Sequence, residues 1–346
     1  MLTGAISGSG WAVPGVMDQR GLWDGFFARH YGESRVAKMV WHRSGVNTRH
    51  GVADPRIEDV SGWDTERRMR RFLAEAVPLG KAALSSCLAD ADLDPVDVDQ
   101  LTVVSCTGYA TPGLDIILAR DLGLRSDVQR LHVGHMGCYA ALPALATAAD
   151  GARARRQRSL LLCMELTSLH LQPADDDVEQ MVSHALFSDA AAAVAVTPNG
   201  AGLEVVDFVS RTDSGQMDLM SWDVTNLGFR MGLSSKVPSV LAAHAANVVD
   251  ELLLAHGVNR RAVARWAIHP GGPRIVDVVA DRLGLTSEQV TDSREVLGEH
   301  GNCSSATLLL ILDRMTARRD LRPGDHIVAM AFGPGLTLYA ALLRAR

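Results

Sequence analysis

Apolar positions along the chain fall into short blocks with two different rhythms. Residues 101–104, 159–164, 190–196, 266–268 and 326–331 are compact apolar runs bounded by polar residues or turns. Their length and flanks predict buried strands, and 131–133 and 336–343 predict two more. Between these runs, apolar positions recur at helical spacing. Residues 60–95 predict two amphipathic helices carrying many charges. Residues 116–120, 138–152, 274–283 and 302–315 predict four further helices. Regular alternation of strand and helix predicts an α/β fold.

The blocks also repeat. Gly134-x-x-Gly137-Cys138 matches Gly298-x-x-Gly301-Asn302, and Asn302 stands 164 positions after Cys138. Ser105-x-Thr107-Gly108 matches His269-x-Gly271-Gly272 at the same offset of 164. One offset shared by two motifs, each read as a strand–turn–helix setting, predicts a duplicated α/β unit with halves 1–201 and 202–346. Duplication would bring the starts of two equivalent helices near one axis, so Cys138 and Asn302 would face one site.

Composition narrows the function classes. The chain has 346 residues, 47% of them hydrophobic, and a net charge of −6. An acidic balance argues against a nucleic-acid binder. The odd count of five cysteines with no CxxC pair predicts reduced thiols in a cytoplasmic protein. The first residues lack a basic start and a long apolar stretch, so no secretory leader is expected. No apolar run reaches the ~18 residues of a span, so no stable membrane insertion is expected. The twelve histidines show no HExxH spacing, and no metal is expected. Gly8-Ser9-Gly10 lacks the rest of a dinucleotide fingerprint.

Three residues carry candidate chemistry. Cys138 opens an apolar helix after a Gly-rich turn, where the helix dipole favours thiolate. A lone cysteine is more often a packed core residue. His269 ends an apolar strand before Pro270-Gly271-Gly272, a rigid placement suited to a cleft, although a satisfied core histidine fits as well. Asn302 heads an apolar helix, where an ordinary N-cap is the common role. Taken together, Cys, His and Asn suit thiol chemistry with oxyanion stabilisation.

Six blocks in order then give a resemblance: HMGCYAALPAL around Cys138, ELTSLHLQP from Glu165, ALFSDAAAAV around Phe187, WAIHPGGPRI around His269, HGNCSSA around Asn302 and AFGPGLT from Ala331. The chain resembles the type III polyketide synthases, the chalcone-synthase-like branch of the thiolase superfamily, and among them the bacterial alkylpyrone and alkylresorcinol synthases. The resemblance implies a duplicated thiolase fold with five αβαβα layers and a homodimer. It implies an acyl-CoA starter on Cys138, medium to long and fatty, extended with malonyl-CoA. His269 and Asn302 would drive decarboxylation, with no cofactor beyond the CoA substrates. Phe187 and Phe229 stand at the family's two gatekeeping positions. Cys106, Thr167, His170, Met220 and Ser304 fall at pocket positions, and Thr111 falls where one residue reaches the neighbouring subunit. Arg35, Lys38, Arg43 and Arg274 are the basic residues implied for CoA.

Departures from the family pattern are Ser188-Asp189-Ala190 in place of Gly-Asp-Gly, Cys303 in place of methionine, and Ser183 in place of glycine. An initiating β-ketoacyl-carrier-protein synthase or an acyltransferase on the same fold shares the triad, with an acyl carrier protein as partner. A scaffold that kept the fold without catalysis is the reading from another class.

Overall fold

The computed structural model describes residues 2–346. Its strands are β1 (Gly4–Ala12), β2 (Val16–Asp18), β3 (Thr48–His50), β4 (Gln100–Val104), β5 (Gln129–Val133), β6 (Ser159–Glu165), β7 (Ala190–Pro198), β8 (Leu203–Thr212), β9 (Met220–Thr225), β10 (Gly228–Leu233), β11 (Val263–Ile268), β12 (His326–Gly333) and β13 (Thr337–Ala345). The helices are α1 (Gln19–Leu22), α2 (Ala28–His30), α3 (Arg35–His42), α4 (Thr65–Asp90), α5 (Leu114–Leu122), α6 (Ala141–Arg155), α7 (Val178–Leu186), α8 (Val237–Ala255), α9 (Pro273–Leu283), α10 (Thr291–His300) and α11 (Ala306–Ala317).

Nine strands form one sheet in the order β11-β12-β13-β8-β1-β7-β6-β4-β5. β4 runs parallel to β5 and β6, and β11 runs parallel to β12. The remaining neighbours are antiparallel, with β1 and β8 joining the two ends of the order at the middle.

Strand alternation sorts the core into layers. Leu160, Leu162 and Met164 of β6 pack in one cluster with residues of α4 and α5, while Leu161 and Cys163 face α6 and α11. On the other side, Ile327 and Ala329 of β12 join the same α6–α11 cluster, and Val328 and Met330 pack with α8 and α9. Helix, sheet, helix, sheet, helix is therefore the order through the molecule, with α6 and α11 as the shared inner layer. A helix apolar all round belongs in such a place, and every residue of α11 from Ala306 to Leu312 is buried.

The predicted strands and most of the predicted helices stand where the pattern put them. Three details differ. Residues 60–95 hold one long helix, α4, and not two. Phe72, Ala76, Gly80, Ala83, Leu84, Cys87 and Leu88 keep one buried face along it, and Pro78 is carried inside. The helix expected from Asn302 begins at Ala306, because residues 302–305 are drawn into other bonds. The turn before Asn302 follows helix α10, whereas the turn before Cys138 follows strand β5, so the strand–turn–helix setting is not matched there.

By length and composition, α4 and α8 could each cross a membrane. Their apolar faces are occupied inside the protein: α4 packs on β1 and β7, and α8 on α9, β13 and β8.

Candidate active site

Cys138 lies in a single 3-10 turn, Gly137–Tyr139, that feeds α6. Gly137 takes φ +71°, a left-handed conformation that favours glycine, and Pro334 of the AFGPGLT block packs 3.1 Å from where its Cβ would be. The turn thus presents the thiol where the loop after β12 closes over it. Cys138 is buried. Burial pushes its thiol up to about 12, with Ser304 and Asn302 pulling it back and the Glu165 carboxylate adding to the rise. The helix dipole expected from the sequence does not win against that desolvation.

His269 follows the end of β11, held by its backbone N–H on the Met330 carbonyl at 2.8 Å. Its side chain is buried, and neither ring nitrogen has a hydrogen-bond partner. No protein group meets either ring nitrogen, so both are open to bond a substrate atom or a water. Burial drives its pKa down to about 3, so the ring is neutral, with one N–H to donate and one nitrogen to accept.

Asn302 is not an N-cap. Its N–H donates to Leu186 O (2.8 Å), and its carbonyl accepts from Ser188 N–H (2.9 Å), a parallel bridge around Phe187. Its Oδ1 accepts from Ser304 N–H at 2.9 Å. With the oxygen end engaged, the NH2 is the donating end of the amide, and it is the end that acts on the Cys138 sulfur.

The three residues line one cleft of about 570 Å³, together with Phe187, Met220 and Phe332. Arg43 and Arg274 also lie on its walls, at the ends of α3 and α9. Arg35 and Lys38 do not. α3 puts Met39, Val40 and Arg43 on the cleft, and a step of about 100° per residue turns Lys38 away from that face. Of the four basic residues that the resemblance implies for CoA, Arg43 and Arg274 lie on the cleft, and Arg35 and Lys38 lie outside its lining.

The remaining pocket residues divide between separate spaces. Cys106, Thr167, Met220 and Ser304 border a space of about 20 Å³ on the inner side of Cys138. His170 and Phe229 border a chamber of about 60 Å³ beyond it, and Phe187 touches all three spaces. His170 donates from Nε2 to Thr107 O at 2.7 Å and accepts at Nδ1 from Phe229 N–H at 3.0 Å. Its polarity is therefore spent on partners. Thr111 lies elsewhere, in a cavity of about 230 Å³ with Tyr109 and His132.

Two neighbours escaped the sequence reading. Glu165, fully buried at the end of β6, accepts from Cys106 N–H (3.1 Å), Thr107 Oγ1 (2.8 Å) and Ser305 Oγ (2.6 Å). Burial raises its carboxyl pKa, and these bonds hold it back. Its signal was an acid closing an unbroken apolar run. Trp222, on β9, had no such signal. Among the described residues, no cluster of His, Cys, Asp or Glu could hold a metal ion.

A buried thiol, a neutral unpaired imidazole and an oriented amide in one cleft of an αβαβα fold define a thioester-handling, carbon–carbon bond-forming acyltransferase. Comparison with known proteins makes the class specific. The family description "Chalcone and stilbene synthases, N-terminal domain" matches residues 38–200, and the C-terminal domain of the same family matches 206–346. The chain is 35% identical to a 3,5-dihydroxyphenylacetyl-CoA synthase of Streptomyces toyocaensis, covering 98% of this chain and 88% of that protein. It is 31% identical to the alpha-pyrone synthesis polyketide synthase-like Pks18 of Mycobacterium tuberculosis, covering 90% and 82%. The crystal structure of 1,3,6,8-tetrahydroxynaphthalene synthase from Streptomyces coelicolor A3(2) superposes with a TM-score of 0.93 at 28% identity, covering 99% of both chains. The chain belongs to the chalcone and stilbene synthase family and is a type III polyketide synthase.

Proposed function

We propose that Cys138 carries the growing acyl chain and that His269 and Asn302 form the decarboxylation centre. Loading transfers the acyl group from CoA sulfur to Cys138 Sγ. His269 takes the thiol proton and returns it to the departing CoA sulfur, so that CoA leaves as the thiol and the ring ends neutral. Malonyl-CoA then loses CO2. The electron pair left behind is held as an enolate, and its carbon attacks the Cys138 thioester carbonyl. The new C–C bond forms, the C–S bond breaks, and Cys138 is freed. Two donors, the His269 N–H and the Asn302 NH2, aimed at the thioester oxygen stabilise that enolate, each worth about 3 kcal/mol. The unpaired ring nitrogens of His269 carry this reading.

In the same reading Arg43 and Arg274 pair with the CoA phosphates, and Phe187 separates the CoA arm from the acyl side. CoA thioesters and malonyl-CoA are the only reactants, with no resident cofactor. The halves 1–201 and 202–346 contribute Cys138 and the His269–Asn302 pair respectively. The working form is a cytoplasmic homodimer, in which Thr111 reaches the partner's cavity. Free, unpaired cysteines support the reducing compartment.

The resemblance to alkylpyrone and alkylresorcinol synthases, and the α-pyrone relative, favour a fatty starter and an alkylpyrone or alkylresorcinol product. A short starter is favoured by a different observation, the space of about 20 Å³ behind Cys138. Incubation with a series of acyl-CoAs plus malonyl-CoA, and with malonyl-CoA alone, distinguishes them by product mass. Condensation products that need no carrier protein are expected. A strict need for acyl carrier protein with a single condensation would overturn the reading in favour of an initiating ketoacyl synthase.

A further inference from the structure

Four side chains stand between the small space beside Cys138 and the chamber next to it. Trp222 borders both the 20 Å³ space and the 60 Å³ chamber, as do Thr167, Phe187 and Met231. A volume of 20 Å³ is room for about one water. No acyl chain beyond a very short one fits there while Trp222 stays in place.

Several contacts fix the indole. Trp222 Nε1–H donates to the Cys106 carbonyl at 2.7 Å. Its ring meets Phe187 at 6.3 Å, His170 at 5.5 Å and Phe229 at 6.0 Å between centroids. His170 and Phe229 are stacked at 4.5 Å behind it, and the His170 hydrogen bonds lock that stack. A hairpin supports the rest, since β9 and β10 pair Trp222 with Met231. The wall is thus a hydrogen-bonded aromatic assembly, and Trp222 is its indole member that borders the space beside Cys138.

We propose that Trp222 is the residue that limits the length of the acyl chain carried on Cys138, by partitioning the space beside the thiol from the chamber behind it. This rests on the condensing-enzyme reading above. Removing the indole joins the two volumes into one. The chamber's lining includes Met17, Leu22, Phe27 and Val60, apolar contacts for an alkyl tail, beside the polar Arg49, Gln180 and His184.

The test compares kcat/KM for octanoyl-CoA and acetyl-CoA as starters, with malonyl-CoA as extender, in the wild type, Trp222→Ala, Trp222→Leu and Trp222→Phe. A methylene admitted to a pocket is worth about tenfold or more. The octanoyl-to-acetyl ratio should therefore rise at least ~10-fold in Trp222→Ala, less in Trp222→Leu, and stay near wild type in Trp222→Phe. The Phe variant keeps a ring but loses the bond to Cys106, so it separates volume from hydrogen bonding. An unchanged ratio in folded Trp222→Ala or Trp222→Leu would overturn the proposal. A wild type that melts normally yet condenses no starter would overturn the condensing-enzyme reading itself, and this proposal with it.

Discussion

At Cys138 and His269, burial opposes charge on both partners. The thiol is pushed up to about 12 and the imidazole down to about 3, so desolvation favours the neutral form of each. This suits the chemistry, because a neutral imidazole offers the donor that an enolate oxygen needs. The two roles can be separated by mutation. His269→Ala or Asn302→Ala should slow malonyl-CoA decarboxylation by about 10²- to 10³-fold. Cys138→Ala should abolish condensation while leaving decarboxylation of malonyl-CoA measurable by CO2 release. Equal loss of decarboxylation in all three variants would contradict the division of labour. Cys138 and His269 were legible in the sequence because glycine and proline mark sharp turns at strand and helix ends. Asn302 was legible as a position but not in its bonding: its amide is set by Ser304 and its backbone by Leu186 and Ser188, contacts that only the folded chain creates. Trp222 could not be found at all, since a tryptophan on a hairpin carries no pattern until the hairpin lands beside Cys138.

At the scale of elements, α4 shows how close contact shapes the fold. β1 passes so near α4 that a Cβ on Gly10 would meet Cys87 N at 2.4 Å and Ala83 O at 2.5 Å. These are helix backbone atoms, which cannot swing aside as a side chain can. Gly10→Ala should therefore destabilise the protein by about 1–3 kcal/mol, seen as a drop of several degrees in Tm. An unchanged Tm would mean that α4 shifts freely on the sheet. The same helix marks a limit of pattern reading. Its stretch of sequence reads as two amphipathic helices, and Pro78 is where a break between them would fall. A continuous buried face overrode that break. Strands such as β6 and β12 were legible because a strand buried on both sides is a plain apolar run, whereas β1 and β8 at the middle of the sheet were not read as strands.

Across the whole molecule, the five layers bury many ionisable groups, and this couples stability to pH. His170 and His269 are held at about 4 and about 3, and His184 well below its usual value, all by desolvation. The folded state therefore binds fewer protons there than the unfolded chain, whose histidines titrate near 6.5. Their contribution is fully present above pH ~6.5 and lost as pH falls toward the folded values. Asp189, raised to about 6, and Glu165, also raised, act in the opposite sense. Three fully buried histidines outweigh two acids, and His300 at about 4 adds to them. The denaturation midpoint should fall between pH 6.5 and 4, and a flat or rising midpoint would contradict the burial of these rings. The layered α/β class could be read from the strand and helix rhythm. The crossing of nine strands into one sheet could not, because no local pattern states which strand lies beside which.

Acyl transfer to Cys138 is tested most directly by intact-protein mass spectrometry. After brief exposure to an acyl-CoA without malonyl-CoA, the wild type should gain the mass of one acyl group, mapped by peptide digestion to Cys138. Cys138→Ala should gain none. Acylation of another cysteine, or equal acylation of the Cys138→Ala variant, would contradict the account at its centre.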